Sequence, residues 1–438
     1  MGLASFSAKL VGNTPISFTP INGLGALGWK YCYDNMNWLS LDDGTTIALN
    51  TEGDTVYFKG AGSPNTSDGA STTYDWFGLQ GITMGPELKF SGHLNALLNG
   101  GNDSSDPVSE GAGNYYTFGG MFGVSEFEDG IRIRMDFEDI IFPSVSVPYQ
   151  CAEMFRGVNH MVKMPASLSA ETLAEYCYDH MFFGLRSVDD DGTHLKDNFF
   201  KAVTLAEGCC TSMFSGTDIY QIDEDFFSSS VVTLAPYCFD SMFDSSLTLT
   251  SLPENLLPFM ELAEACYVQM FATTKITTIP ENFLPAVVLA PKCYWYMFAA
   301  TDSLVDLPAG LLHAKVMAPN CYEEIFADCD NITSIPKEWF DCVEILAEDC
   351  FQSMFEDAEK VNEIHFPFKS WEDSSGKPFT LNWVNNVASD GDFYAPIELQ
   401  ENYSVNEIPI GWRFHPIIAK KTMTAIIAGK GILTLHKK

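Results

Sequence analysis

Cysteines, histidines, clustered carboxylates and aromatic rings are the side chains here whose spacing could do chemistry. The chain has twelve cysteines in 438 residues. Seven of them, Cys177, Cys209, Cys238, Cys266, Cys293, Cys321 and Cys350, lie 32, 29, 28, 27, 28 and 29 residues apart. No C-x-x-C pair results to grip zinc, and the adjacent Cys209 and Cys210 suit a disulfide poorly. Free cysteine packs as a small hydrophobe, so buried reduced thiols are expected. The eight histidines, among them His160, His180, His194 and His313, share no common offset and read as satisfied or exposed surface groups. Asp189-Asp190-Asp191-Gly192 clusters oxygen ligands of the kind calcium takes, yet position one of an EF-hand loop would fall on Ser187, so a solvated turn is expected. Walker, G-x-S-x-G and H-E-x-x-H spacings are missing from the sequence. With 58 acidic residues, pairs at glycosidase-like separation arise by chance. No catalytic residue, no metal site and no cofactor is assigned, and the chain is read as a non-enzyme.

The cysteine interval belongs to a recurring unit, Leu-Ala-x-x-Cys-x-x-x-Met-Phe. It runs from Leu173 through Cys177 to Met181 and Phe182, and returns around Cys209 and Met213, Cys238 and Met242, Cys266 and Met270, Cys293 and Met297, Cys321, and Cys350 and Met354. Irregular copies at Gly119 to Phe122 and Cys151 to Phe155 bring the total to nine. Leu, Cys and Met at i, i+4 and i+8 predict a short amphipathic helix with those side chains on one buried stripe. Segments such as Thr248–Leu252, Ile276–Ile279, Ser303–Leu307 and Ile332–Ile335 alternate with period two and end at proline, which predicts a brief strand. Units of this length bury an apolar face only by stacking. The expected fold class is therefore an α/β repeat solenoid, one short strand and one short helix per unit of about 28 residues. A β-rich N-terminal unit and a C-terminal cap and hairpin complete the expectation.

The repeat resembles the BspA-like leucine-rich repeat, in the form whose unit carries LA-x-x-C(Y/F)-x-x-MF and a following L-x-x-(L/I)P segment. The resemblance covers roughly residues 115 to 365. Trp38-Leu-Ser-Leu and the run from Gly53 to Gly60 are similar to the β-rich leader placed before such repeats. Leu381 to Tyr394 and Ile408 to Trp412 are similar to the closing cap. Such proteins occur on gut Bacteroidales and in the viruses that infect them, so the resemblance implies adhesion or virion roles.

The expected organisation is a β-rich unit over 1–90, repeats over 91–365, a cap over 366–412 and a basic β-hairpin tail over 413–438. Residues 99 to 114 read as an exposed polar loop. A net charge of −34 opposes attraction to nucleic acid or anionic membrane. The longest apolar stretch, Thr424 to Leu435 with Lys430 inside it, falls short of the ~20 residues a bilayer span needs. Met1 to Phe6 carry neither an export pattern nor a myristoylation site, so neither export nor lipid anchoring is expected. After Glu407 the chain has no acidic residue, and Arg413, Lys420, Lys421 and Lys430 make the tail a candidate docking element. Aromatic residues that directly follow the ladder cysteines, Tyr178, Tyr267 and Tyr322 among them, read as inter-repeat stacking. Trp295, between Tyr294 and Tyr296, reads as a candidate interaction surface.

Together these readings give a bacteriophage virion protein, a surface appendage, fibre or decoration, assembled in the host cytoplasm and used for adhesion or host recognition. Its expected partners are other virion proteins or copies of itself, and a host surface protein or glycan. A Bacteroidales surface adhesin is the alternative, and a glycan-binding protein a third.

Overall fold

The computed structural model describes residues 6–61, 63, 65, 73–80, 82, 85–97, 118–124, 133–144, 146–187, 193–227 and 233–417. The polar stretch 99–114, the Asp189–Asp191 run and the hairpin with Lys420, Lys421 and Lys430 fall outside the described residues.

Fourteen strands are described: β1 (Phe6–Val11), β2 (Ile16–Phe18), β3 (Lys30–Cys32), β4 (Leu39–Ser40), β5 (Ile47–Leu49), β6 (Thr55–Lys59), β7 (Glu87–His93), β8 (Arg134–Ile141), β9 (Met161–Lys163), β10 (Thr193–Leu195), β11 (Ile219–Ile222), β12 (Glu363–His365), β13 (Asp392–Ala395) and β14 (Arg413–Pro416). One sheet of seven runs β4-β3-β6-β1-β7-β8-β9. It is antiparallel from β4 to β7 and parallel from β7 to β9, so the N-terminal unit passes into the first repeats without a break. The boundary expected at residue 90 therefore cuts through β7. β10-β11 and β12-β13-β14 form separate parallel sheets, and β2 pairs with β5.

The expected α/β repeat solenoid, with a helix in each unit, is overturned. The chain is strand-rich with several sheets, and among the described residues the helical segments are three short 3-10 turns, Gly25–Leu27, Leu94–Leu97 and Ile397–Leu399. The period-two segments are corrected as well. None of them is a strand; isolated parallel bridges join Thr278 to Asp306 and Ser334 to Glu363 of β12, and Thr248–Leu252 forms none. Their terminal prolines have no N–H to extend a ladder.

The signature segments fold as chains of tight turns, and their hydrogen bonds explain why they are not helices. In the copy around Cys177, the N–H groups of Cys177, Asp179, Met181, Phe183 and Leu185 donate to the carbonyl three residues back. Those of Tyr176, Tyr178, His180, Phe182 and Gly184 donate instead to Glu207, Cys209, Thr211, Met213 and Ser215 of the next copy. An α-helix would use all of these donors internally and leave none for a neighbour. The alternation is set by a left-handed residue at every fourth position: Tyr176 and His180 at φ 52° and Gly184 at φ 66°. The same places are left-handed in later copies, as at Ala265, Gln269 and Thr273, or Lys292, Tyr296 and Ala300. A non-glycine residue in that region costs about 1–2 kcal/mol. Five inter-copy bonds per joint, each contributing roughly 1 kcal/mol net, offset that strain.

A strict four-residue repeat keeps each side chain on one face. Leu173, Cys177, Met181 and Leu185 all lie buried, whereas in an α-helix they would drift by about 40° per step. The signature phenylalanines stack in register through all nine copies: Phe122, Phe155, Phe182, Phe214, Phe243, Phe271, Phe298, Phe326 and Phe355. Their ring centroids are 5.1 to 6.1 Å apart and their planes lie within 11° of one another. Phe77 stacks on the first ring and Trp383 closes on the last, and one continuous core extends from Phe6 to Trp412.

Candidate functional site

The residues singled out as repeat core are all buried: Leu173, Phe182, the cysteines at 177, 209, 238, 266, 293, 321 and 350, and the methionines at 181, 213, 242, 270, 297 and 354. All twelve cysteines are unpaired. The thiols of Cys177, Cys209, Cys238, Cys293 and Cys321 each lie 3.9 Å from the carbonyl oxygen of the next copy's cysteine. Burial pushes the thiols of Cys266, Cys321 and Cys329 up to about 12, which keeps them protonated and poorly nucleophilic.

The aromatic trio does not form one surface. Tyr294 is a correction: at 1% exposure it belongs to a second ring ladder, Phe239, Tyr267, Tyr294, Tyr322 and Phe351, with centroids 5.7 to 6.3 Å apart. Its place straight after the ladder cysteine is the reason. Trp295 is half-buried, with the Lys292 ammonium 5.2 Å from its ring centre. Tyr296 is half-buried in the left-handed conformation, φ 59°.

Arg413 is not part of a free tail. It stands on β14, the outer strand of the closing parallel sheet, and its guanidinium makes two 2.7 Å bonds to Asp392. His415 Nε2 lies 2.7 Å from the same carboxylate. The hydrogen bonds from Arg413 and then His415 hold that carboxyl far below its ordinary value.

A ligand-sized concavity lies elsewhere, in a groove of about 440 Å³ between β9 and β10. These strands belong to different sheets, and among the described residues one bridge, Met161 to Ser187, joins the two strand rows there. Buried Met161 and Phe199 contribute to its lining, with Val162 to Ala166 on one side and Thr193, His194, Lys196 and Asp197 on the other. Tyr220 of β11 joins the wall, its ring 5.9 Å from that of His194 and tilted by 55°.

Most polar groups of the groove are held. His194 Nε2 lies 2.7 Å from Asp223 Oδ1, and Lys163 Nζ lies 2.5 Å from Glu138 Oε2. The Thr193 hydroxyl and the Ser187 N–H both donate to Asp218, at 2.8 Å each. Burial alone would raise the Asp223 carboxyl, but the bonds from His194, the Asp197 N–H and the Gln221 amide carry it below its ordinary value. Lys196 and Asp197 are exposed.

Sequence reasoning missed this groove and placed His194 among scattered surface histidines. Copy spacing does not mark it: the strands that follow Phe122 and Phe155, 33 residues apart, stay paired, as do β10 and β11, which follow Cys177 and Cys209, 32 residues apart. Among the described residues, no group of three His, Cys, Asp or Glu side chains is placed to hold a metal ion, and no helix is long and apolar enough to cross a membrane. Comparison with family models, curated proteins and solved structures returned no match.

Proposed function

We propose that this chain is a non-enzymatic recognition protein, a surface component of a bacteriophage virion that contacts the host through the outer face of its stacked turns. One observation carries this reading. The residues that recur from copy to copy face the core, while the slot two residues after each ladder cysteine differs: Asp179, Thr211, Asp240, Trp295 and Gln352 are half-buried there, and Val268 and Glu323 are buried. A backbone fixed by repetition, with side chains free to vary at regular intervals, suits a broad binding surface. The resemblance to BspA-like repeats supports an adhesive or virion role.

The test is mass spectrometry of phage particles and host envelope fractions from the native source. Stoichiometric recovery in particles is expected. Recovery only in the bacterial envelope would overturn the virion reading in favour of a cell-surface adhesin. Loss of host binding by particles lacking the chain tests recognition separately.

A further inference from the structure

We propose that the groove between β9 and β10 binds an acidic sugar, a pyranose carrying a carboxylate. The inference rests on the recognition reading above and names the class of ligand. It starts from the break in the ladder. The seven-stranded sheet ends at β9, β10 belongs to a separate sheet, and among the described residues a single bridge, Met161 to Ser187, joins the strand rows of the two copies. The space left, about 440 Å³, lies within the range of about 300–1,000 Å³ typical of small-molecule sites.

The lining is chemically divided. Met161 and Phe199 supply apolar surface and Tyr220 a ring, which suit the C–H face of a pyranose. Asp218, Asp223 and Glu138 are occupied by Thr193, His194 and Lys163, so the polar edge is fixed before any ligand arrives. Of the two lysines in the lining, Lys163 is held by Glu138, whereas Lys196 pairs with no carboxylate among the described residues. Many of the other described cations are tied to carboxylates, as in Lys89 with Asp139, Arg156 with Glu153 and Arg413 with Asp392. An unpaired ammonium beside an apolar floor is complementary to a carboxylate attached to a ring.

Titration calorimetry of the full chain with glucuronic acid, N-acetylneuraminic acid and glucose tests the proposal. At least one acidic sugar is expected to bind at least about tenfold more tightly than glucose, the scale of one charge-assisted hydrogen bond. K196Q should abolish that preference, and Y220A should weaken every sugar that binds. Both side chains lie at the surface of the groove, and an unchanged melting temperature verifies that the variants fold. No binding, equal binding of glucose, or an unchanged preference in K196Q overturns the proposal. Host-cell binding of wild type and K196Q separates the two readings. Sugar binding without cell binding sinks recognition and leaves the groove standing, whereas cell binding without sugar binding does the reverse.

Discussion

Replacing Tyr267 with phenylalanine should stabilise the protein. The Tyr267 ring is 1% exposed and stacks on Phe239 at 6.0 Å and on Tyr294 at 5.9 Å. Its hydroxyl oxygen is fully buried and has no hydrogen-bond partner. An unsatisfied buried polar group costs about 1–3 kcal/mol. Tyr267→Phe removes that cost and keeps every ring contact, and Phe239 and Phe351 already occupy the equivalent slot. The expected gain is about 1–2 kcal/mol, and Tyr267→Ala, which removes the ring as well, should lose about 3–5 kcal/mol. Urea unfolding of the three proteins, followed by fluorescence with unchanged slopes, gives both numbers. A loss of 1 kcal/mol or more in Tyr267→Phe would refute the reasoning, because it would require a partner for the hydroxyl.

Thr273→Gly should also stabilise, by up to about 1 kcal/mol: Thr273 is exposed at φ 55°, and glycine relieves the left-handed strain while giving back part of the gain to the unfolded chain. Its urea midpoint should rise, and a fall would show that the threonine side chain contributes more than the strain. Gly208→Ala should destabilise, since a Cβ there would lie 2.2 Å from the Tyr176 ring, and an unchanged midpoint would count against that packing. Mild acid should stabilise the fold. Burial, reinforced by like charges around the last three, raises the carboxyls of Asp240, Asp244, Glu323, Glu324 and Asp328 above the unfolded values of about 4. Their ionisation therefore costs stability as the pH rises from about 4 through the raised folded values, and acidification from neutral pH returns it. Asp392 acts in the opposite sense, since its lowered value contributes stability above about 4 that is lost as the pH falls through the folded one. Melting temperature should rise from pH 7.5 to pH 5, and Glu324→Gln with Asp328→Asn should flatten the rise; a lower melting temperature at pH 5 would contradict the assignment.

The repeat was legible where chemistry recurs at a fixed interval. Nine copies of Met-Phe, or Ile-Phe at 325–326, mark nine stacked rings, and the cysteine column marks a buried row. In the β-rich N-terminal unit the short alternating runs Thr46 to Leu49 and Thr55 to Phe58 coincide with β5 and β6. The helix reading failed because i, i+4, i+8 spacing defines a face without defining the backbone that makes it. Each column of the signature, Leu173, Cys177, Met181 and Leu185 among them, steps by four without the drift that a 3.6-residue period imposes. Tyr294 was misplaced because its neighbours Trp295 and Tyr296 suggested a patch, although burial along the turn chain runs in pairs, with Cys293 and Tyr294 inward, Trp295 and Tyr296 outward, and Met297 and Phe298 inward again. The groove went unread because most of its lining comes from three separate strands and the segments beside them, Met161 to Ala166, Thr193 to Phe199 and Tyr220, which no single stretch of sequence brings together.

The alternating hydrogen bonds also make the molecule electrically polar along its length. Within one copy the Cys177 carbonyl points back to the Cys151 N–H, while the Tyr178 N–H of the same peptide unit points forward to Cys209, and the units before Tyr176, His180, Phe182 and Gly184 share that orientation. Each peptide unit has a dipole of about 3.5 D, so successive copies add head to tail in five parallel columns. The far ends are met in the same sense: Trp76 donates to Met121 at one end, and Phe355 and Asp357 donate to Trp383 and Asn385 at the other. The positive end thus lies toward the C-terminal cap, the reverse of an α-helix. Two such molecules meeting end to end are drawn together head to tail and repelled head to head, a bias that dielectric relaxation would register as a large permanent moment.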